Sequence, residues 1–193
     1  NSKDGSSHPS NFLMVSKMDL HKIIDPVLRP TYIANRRSFN TVVIDPGHGG
    51  HDSGTRNRIS READINLSVG KKLRDRLKTM GYQVVMTRDT DNFIALQDRV
   101  RIANRHNNAI FISIHFNDGG SSARGVETFT LAPAGTSSSM SRNIRQDALQ
   151  GNSQDSMNIA LATAGQAHVL KGPLALKEGI SIVDRGIKRA RYS

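Results

Sequence analysis

Three short apolar runs alternate with two stretches of helical periodicity, and this alternation limits the fold more than any other feature of the chain. Thr41–Asp45 is β-branched and apolar, stops at Pro46, and reads as a buried strand. Ile65, Val69, Leu73 and Leu77 then recur every four residues, the stripe of an amphipathic helix, with Gly81 as its stop signal. Ser60 is the expected N-cap of that helix, which sets Glu62 in its first turn, where the helix dipole favours an anion. Gln83–Thr87 is a second strand. Leu96, Val100 and Ala103 mark a second helix running to about His106, and Ala109–His115 is a third strand. Strand, helix, strand, helix, strand implies an α/β fold: a single domain with a mostly parallel twisted sheet flanked by helices.

Outside this block the signals are weaker. Residues 1–20 are polar and read as a tail. Residues 21–40 carry Pro26 and Pro30 and read as an extended arm, so the division expected is a tail and arm over 1–38 and a compact domain over 39–193. Val126–Leu131 is a fourth strand, Ala134–Gln154 a loop or marginal helix, and Gln154–Leu170 a helix with Met157, Leu161 and Ala164 on one face.

Composition excludes several classes. No run of about 18 apolar residues exists, so no membrane-spanning helix is expected, and no signal peptide is visible at the N-terminus. Cysteine is absent, so any metal must be held by His, Asp or Glu. The net charge of +10 favours an anionic partner: nucleic acid, an anionic membrane or an acidic wall polymer. The lack of Trp and the 5% aromatic content argue against nucleic acid, because single strands are held on aromatic faces.

Strand ends then point to chemistry. In parallel α/β sheets, ligands gather outside the carboxyl ends of strands. His48 lies just past the first strand, in a loop made permissive by Gly47, Gly49 and Gly50, and His115 closes the third. With Glu62 they make two imidazoles and a carboxylate, a common ligand set for catalytic zinc with a fourth position left open. Each has a plainer reading: a turn histidine for His48, a solvated first-turn residue for Glu62, a satisfied core histidine for His115.

The wording around these residues narrows the choice. IDPGHGGHDSG, READINL, VVMTRDTD, LQDRVRIAN, FISIHFN, GVETF and DRGIKRA occur in this order. Together they resemble the zinc-dependent N-acetylmuramoyl-L-alanine amidases that cut peptidoglycan, from about Thr41 to the end of the chain. The resemblance implies one Zn2+ ion held by His48, Glu62 and His115. It also implies cleavage of the amide between the lactyl group of N-acetylmuramic acid and L-alanine. The partner implied is peptidoglycan and the location a bacterial envelope, periplasmic or secreted; a monomer is expected, although the sequence itself does not give the oligomeric state. In some members a helix blocks the site until an activator protein binds. Here the stretch between Leu131 and Met157 is short and polar, so that form of autoinhibition is not expected.

The family's catalytic glutamate normally follows DRGIKRA by a dozen or so residues, and the chain ends at Ser193 before it. The expectation is therefore a domain truncated before its general base, with neither Glu127 nor Glu178 promoted to that role. Two rivals remain at this level: a catalytically inactive wall-binding or regulatory domain, and a zinc carboxypeptidase using the same ligand chemistry. Asn117 and Arg185 are candidate substrate-binding residues, with a turn role and an ion pair to Asp184 or Asp89 as their plainer readings. Asp45 is a candidate acceptor orienting His48, or simply a turn-forming Asp-Pro. His51, His106 and His168 read as rim or surface histidines.

Overall fold

The computed structural model describes residues 15–34, 36–116, 124–139, 147–172 and 182–191, and the backbone alone of 141–144. In chain order the elements are α1 (Lys17–Asp19), a π-helical stretch (Leu20–Ile24), α2 (Asp25–Leu28), β1 (Thr41–Pro46), α3 (Glu62–Thr79), β2 (Gln83–Met86), α4 (Leu96–Asn104), β3 (Ala109–Ile114), β4 (Val126–Leu131), β5 (Ser137–Ser138), β6 (Ser141–Ile144), α5 (Asp155–Leu170) and β7 (Asp184–Ala190). They fall into two compact units, Asn35–Arg124 and Asn1–Ala34 with Gly125–Ser193.

The Asn35–Arg124 unit holds a three-stranded parallel sheet in the order β2-β1-β3. All six residues of β1 are buried, so both faces of this central strand are covered, as its unbroken apolar run requires. The register pairs Asp45 with Ser113 and Pro46 with Ile114, so β1 and β3 end level with one another. α3 packs on all three strands and α4 on β3.

The helices bury only in part the stripes that their apolar periodicity indicates, Ile65, Leu73 and Leu77 of α3 being half-buried. On α3 the buried residues are Glu62, Ala63, Asn66 and Gly70, while Val69 is 38% exposed. Gly70 decides this: a Cβ there would lie 2.9 Å from Pro46 Cγ, so only glycine lets the helix axis come this close to the strand. On α4 the buried residue is Arg99, with Leu96 and Val100 turned outward.

Ser60 is not the N-cap of α3. The helix starts at Glu62, Arg61 occupies the cap position, and Ser60 closes a turn on Asn57 Oδ1. The free first-turn amides are taken by the preceding loop instead, Glu62 N donating to Thr55 O and Ala63 N to Ser53 O.

In the second unit β4 and β7 pair in parallel and α5 packs against both. β7 spans the DRGIKRA stretch, which had no strand assignment from sequence alone. The Ala134–Gln154 segment, read as a loop or marginal helix, contains the antiparallel pair β5-β6 and a short 3-10 turn at Gln150–Gln154. Residues 17–28 are helical and Pro30–Tyr32 form a 3-10 turn, so this stretch is not an extended arm. Pro26 falls in the first turn of α2, and Ser16 Oγ accepts from Asp19 N. Lys22 Nζ reaches Asp155 Oδ2 at 3.0 Å, tying this stretch to α5. α5 buries the face opposite the predicted one: Asp155, Ile159, Ala162 and Gln166 are inside, and Leu161 is 40% exposed. Among the described residues no helix is long and apolar enough to cross a membrane.

Candidate metal centre

The level ends of β1 and β3 bring His48 and His115 together, and the N-terminus of α3 brings Glu62 to both. His48 Nε2, His115 Nδ1 and Glu62 Oε1 form a triangle in which every edge is 3.2 Å. They are a group of donor atoms able to hold a metal ion. A tetrahedral zinc with bonds of about 2.0–2.1 Å spaces its ligand atoms about 3.3–3.4 Å apart, so the triangle has the size of one face of such a polyhedron. Two imidazoles and one carboxylate, without thiolate, are also the donor chemistry of sites that keep a position open. The residues fit the ion.

Each donor is aimed by further contacts. His48 Nδ1 lies 2.9 Å from Asp52 Oδ2, which takes the ring proton on that nitrogen and leaves the Nε2 lone pair facing the triangle. The His48 imidazole is the main cause holding the Asp52 carboxyl below the usual carboxylate range, helped by the Gly54 amide and opposed by partial burial. Asp52, and not Asp45, is therefore the acceptor that orients His48. Asp45 is buried one layer deeper, where Thr87 Oγ1, Arg99 Nη1 and Ser113 Oγ surround it at 2.6, 2.6 and 2.7 Å.

Burial pushes the Glu62 carboxyl up. The amides of Thr55 and Phe116, at 3.0 and 2.8 Å, and the two facing imidazoles outweigh this and hold it below its ordinary range. The result is a fixed anion at the floor of the site. The Glu62 side chain is only 5% exposed while that of His115 is 42% exposed, so the triangle opens to solvent on the His115 side.

Glycine is required where these side chains touch backbone. A Cβ on Gly47 would lie 2.2 Å from His115 Cε1, and one on Gly54 would lie 2.6 Å from His48 Cδ2. His48 itself has φ 60°, the one non-glycine residue among those described with positive φ. Its loop is held through its carbonyls. Arg88 Nε donates to Pro46 O, and Arg88 Nη2 to both Gly47 O and Ala63 O, each at 2.8 Å. Asn66 Nδ2 adds a bond to Gly47 O at 3.1 Å. Arg99 Nη1 donates to Pro46 O and Arg99 Nη2 to His48 O, at 3.0 and 2.9 Å.

Arg88, Arg99 and Asn66 were not among the residues singled out by sequence. The rule that located His48 and His115 extends to Arg88, which follows β2 at the same sheet edge, but Arg99 and Asn66 lie inside helices whose apolar stripes point elsewhere. Asn117 lies outside the described residues. Arg185 belongs to the other unit, where its Nε is 3.2 Å from Glu127 Oε2, and Lys188 Nζ contacts the same oxygen. Its ion-pair partner is thus Glu127 and neither Asp184 nor Asp89; Asp184 accepts from Gln166 and from the Gly186 amide. His51 packs against Phe93, with ring centroids 4.1 Å apart and the planes tilted by 36°, and His168 Nδ1 bonds Ala164 O within its own helix.

A family model for N-acetylmuramoyl-L-alanine amidase (Amidase_3) matches residues 42–192. The chain belongs to that family. The protein YqiI of Bacillus subtilis (strain 168) is 45% identical over 89 residues, covering 46% of this chain and 43% of that protein. N-acetylmuramoyl-L-alanine amidase AmiA of Escherichia coli (strain K12) is 41% identical over 108 residues, covering 54% of this chain and 37% of that protein. The chain thus spans less than half the length of these curated relatives. Among solved structures, N-acetylmuramoyl-L-alanine amidase AmiC2 of Nostoc punctiforme matches with a TM-score of 0.59 and 32% identity, over 81% of this chain and 72% of that one.

Proposed function

We propose that the chain is the catalytic part of a zinc-dependent peptidoglycan amidase acting on the bond between N-acetylmuramic acid and the L-alanine of the stem peptide. The observation that carries this reading is the 3.2 Å triangle of His48 Nε2, His115 Nδ1 and Glu62 Oε1, reached from three separate elements. These three side chains would hold one Zn2+. When bound, zinc supplies Lewis-acid polarisation of the scissile carbonyl and brings the pKa of a water toward ~7.

The chain's own residues position these groups. Asp52 keeps the His48 lone pair directed at the ion, and the Thr55 and Phe116 amides keep Glu62 ionised in a buried position. The exposed side of His115 leaves the approach on which the amide enters. Glu127 is committed to Arg185 and Lys188, and we assign it no role in proton transfer. The substrate is the bacterial wall, so the protein works in the envelope, in the periplasm or after secretion. The net charge of +10 matches an anionic polymer there.

The test is metal analysis of the purified protein together with product analysis on labelled peptidoglycan. One zinc per chain, and new N-terminal L-alanine on released stem peptides, are expected, both lost in His115→Ala. Stem peptides trimmed at their C-terminus would instead identify a carboxypeptidase. A metal-free protein whose His115→Ala variant behaves as the parent would overturn the reading.

A further inference from the structure

We propose that Arg99, on α4, is a positioning residue for the metal ligand His48: it holds the His48 backbone in the left-handed conformation that aims the imidazole at the ion. The inference rests on the zinc reading of the site.

His48 has φ 60°, a conformation uncommon for residues with side chains, though histidine tolerates it better than most. The flanking glycines accommodate such a turn, but they do not select it. The His48 carbonyl, whose direction follows from that backbone conformation, accepts from Arg99 Nη2 at 2.9 Å. A guanidinium is a suitable template because its donors are coplanar and at fixed angles. Every nitrogen of this one is engaged: Nε with Ile94 O at 2.9 Å, Nη1 with Asp45 Oδ1 at 2.6 Å and Pro46 O at 3.0 Å, and Nη2 with His48 O. The fork therefore has no freedom to follow the loop, and the loop conforms to the fork.

The anchor behind it is equally fixed. Asp45 lies in β1 and is bonded by Thr87 Oγ1, just after β2, and by Ser113 Oγ, in β3. A continuous chain of charge-assisted bonds thus runs from all three strand ends through Asp45 and Arg99 to the carbonyl of a ligand. Asp52 and Arg99 divide the control of His48 between them. Asp52 sets which ring nitrogen carries the proton, and Arg99 sets where the ring is.

A purely structural Arg99, one that only ties α4 to the sheet, makes a different prediction, and the experiment separates the two. Zinc affinity is measured by competition with a chromophoric chelator for the parent, Arg99→Lys and Arg99→Met, and the melting temperature of each is measured in excess EDTA. Lysine keeps a cation against Asp45, and methionine keeps the apolar stem, but neither spans Asp45 and His48 together. The expected result is a loss of zinc affinity of about tenfold or more in variants that remain folded in EDTA, the range for removing a group that orients a ligand. Zinc affinity equal to the parent's in a folded variant, whatever its melting temperature, overturns the proposal. Loss of the fold in both variants assigns Arg99 a structural role and overturns it as well. A parent protein that binds no zinc fails before any variant is compared, and that result falls on the zinc reading itself.

Discussion

Gly47 and His115 are in contact so close that no other residue fits at position 47: an added Cβ would lie 2.2 to 2.7 Å from three atoms of the imidazole. The two come from adjacent parallel strands that end level, and Gly47 N also donates to Ile114 O at 3.0 Å. The loop after β1 thereby forms one wall for the His115 ring after β3.

Replacing Gly47 by alanine should therefore act on His115. The ring has to move by about an ångström, and displacement on that scale costs on the order of 100-fold in turnover. Gly47→Ala is expected to fold, to lose wall-degrading activity by about that factor, and to bind zinc more weakly. Zinc titration alongside dye release from labelled peptidoglycan checks both parts.

Asp52→Asn removes the charge and leaves one acceptor oxygen where His48 and the Gly54 amide now use two, with the size of the side chain unchanged. Groups in this relation to a metal ligand are worth about 10- to 100-fold in affinity, so zinc binding should weaken within that range. Chelator competition at neutral pH measures it. Unchanged affinity would show that the 2.9 Å contact plays no part in metal binding.

Arg88 is 4% exposed and is satisfied by backbone carbonyls of Pro46, Gly47, Ala63 and Thr90. Burial, with the neighbouring Arg99 cation, pushes its pKa down from the ordinary arginine range. Arg88→Met keeps much of the stem and removes one donor from each of these carbonyls, while Pro46 O keeps Arg99 and Gly47 O keeps Asn66. An unsatisfied buried acceptor costs about 1–3 kcal/mol, so a loss in that range is expected. Urea denaturation of the metal-free protein would reveal it as a lower midpoint at unchanged slope.

Acid should weaken the metal-free protein through Asp52 and Glu62. Both carboxyls titrate below their ordinary range in the folded chain, Asp52 chiefly because of His48, Glu62 because its amide donors and the imidazoles override burial. In the unfolded chain such groups titrate near ~4, so around that pH the unfolded state binds more protons and stability rises with pH. Their contribution is complete above ~4 and is lost as pH falls through the lower folded values. Urea midpoints measured between pH 2.5 and 6 should decline on the acid side, and the decline should be shallower in Asp52→Asn.

Strands β1 to β4, the α/β class and the convergence of His48, Glu62 and His115 were legible in the chain because their causes are local or follow from one rule of topology, whereas β5, β6 and β7 were not. A β-branched run ending in Pro46 makes a buried strand wherever it is placed, and parallel strands with intervening helices gather their carboxyl ends at one edge. Tertiary structure decided which faces of the helices are buried. On α3, α4 and α5 the apolar stripe is at least partly outward, and the packed face carries Asn66 and Gly70, Arg99, and Gln166 respectively. Periodicity weighs side chains by hydrophobicity alone. Here the inward positions went to a glycine that permits close approach and to polar groups whose bonds are made to carbonyls and carboxylates far away in sequence, and no local pattern records partners of that kind.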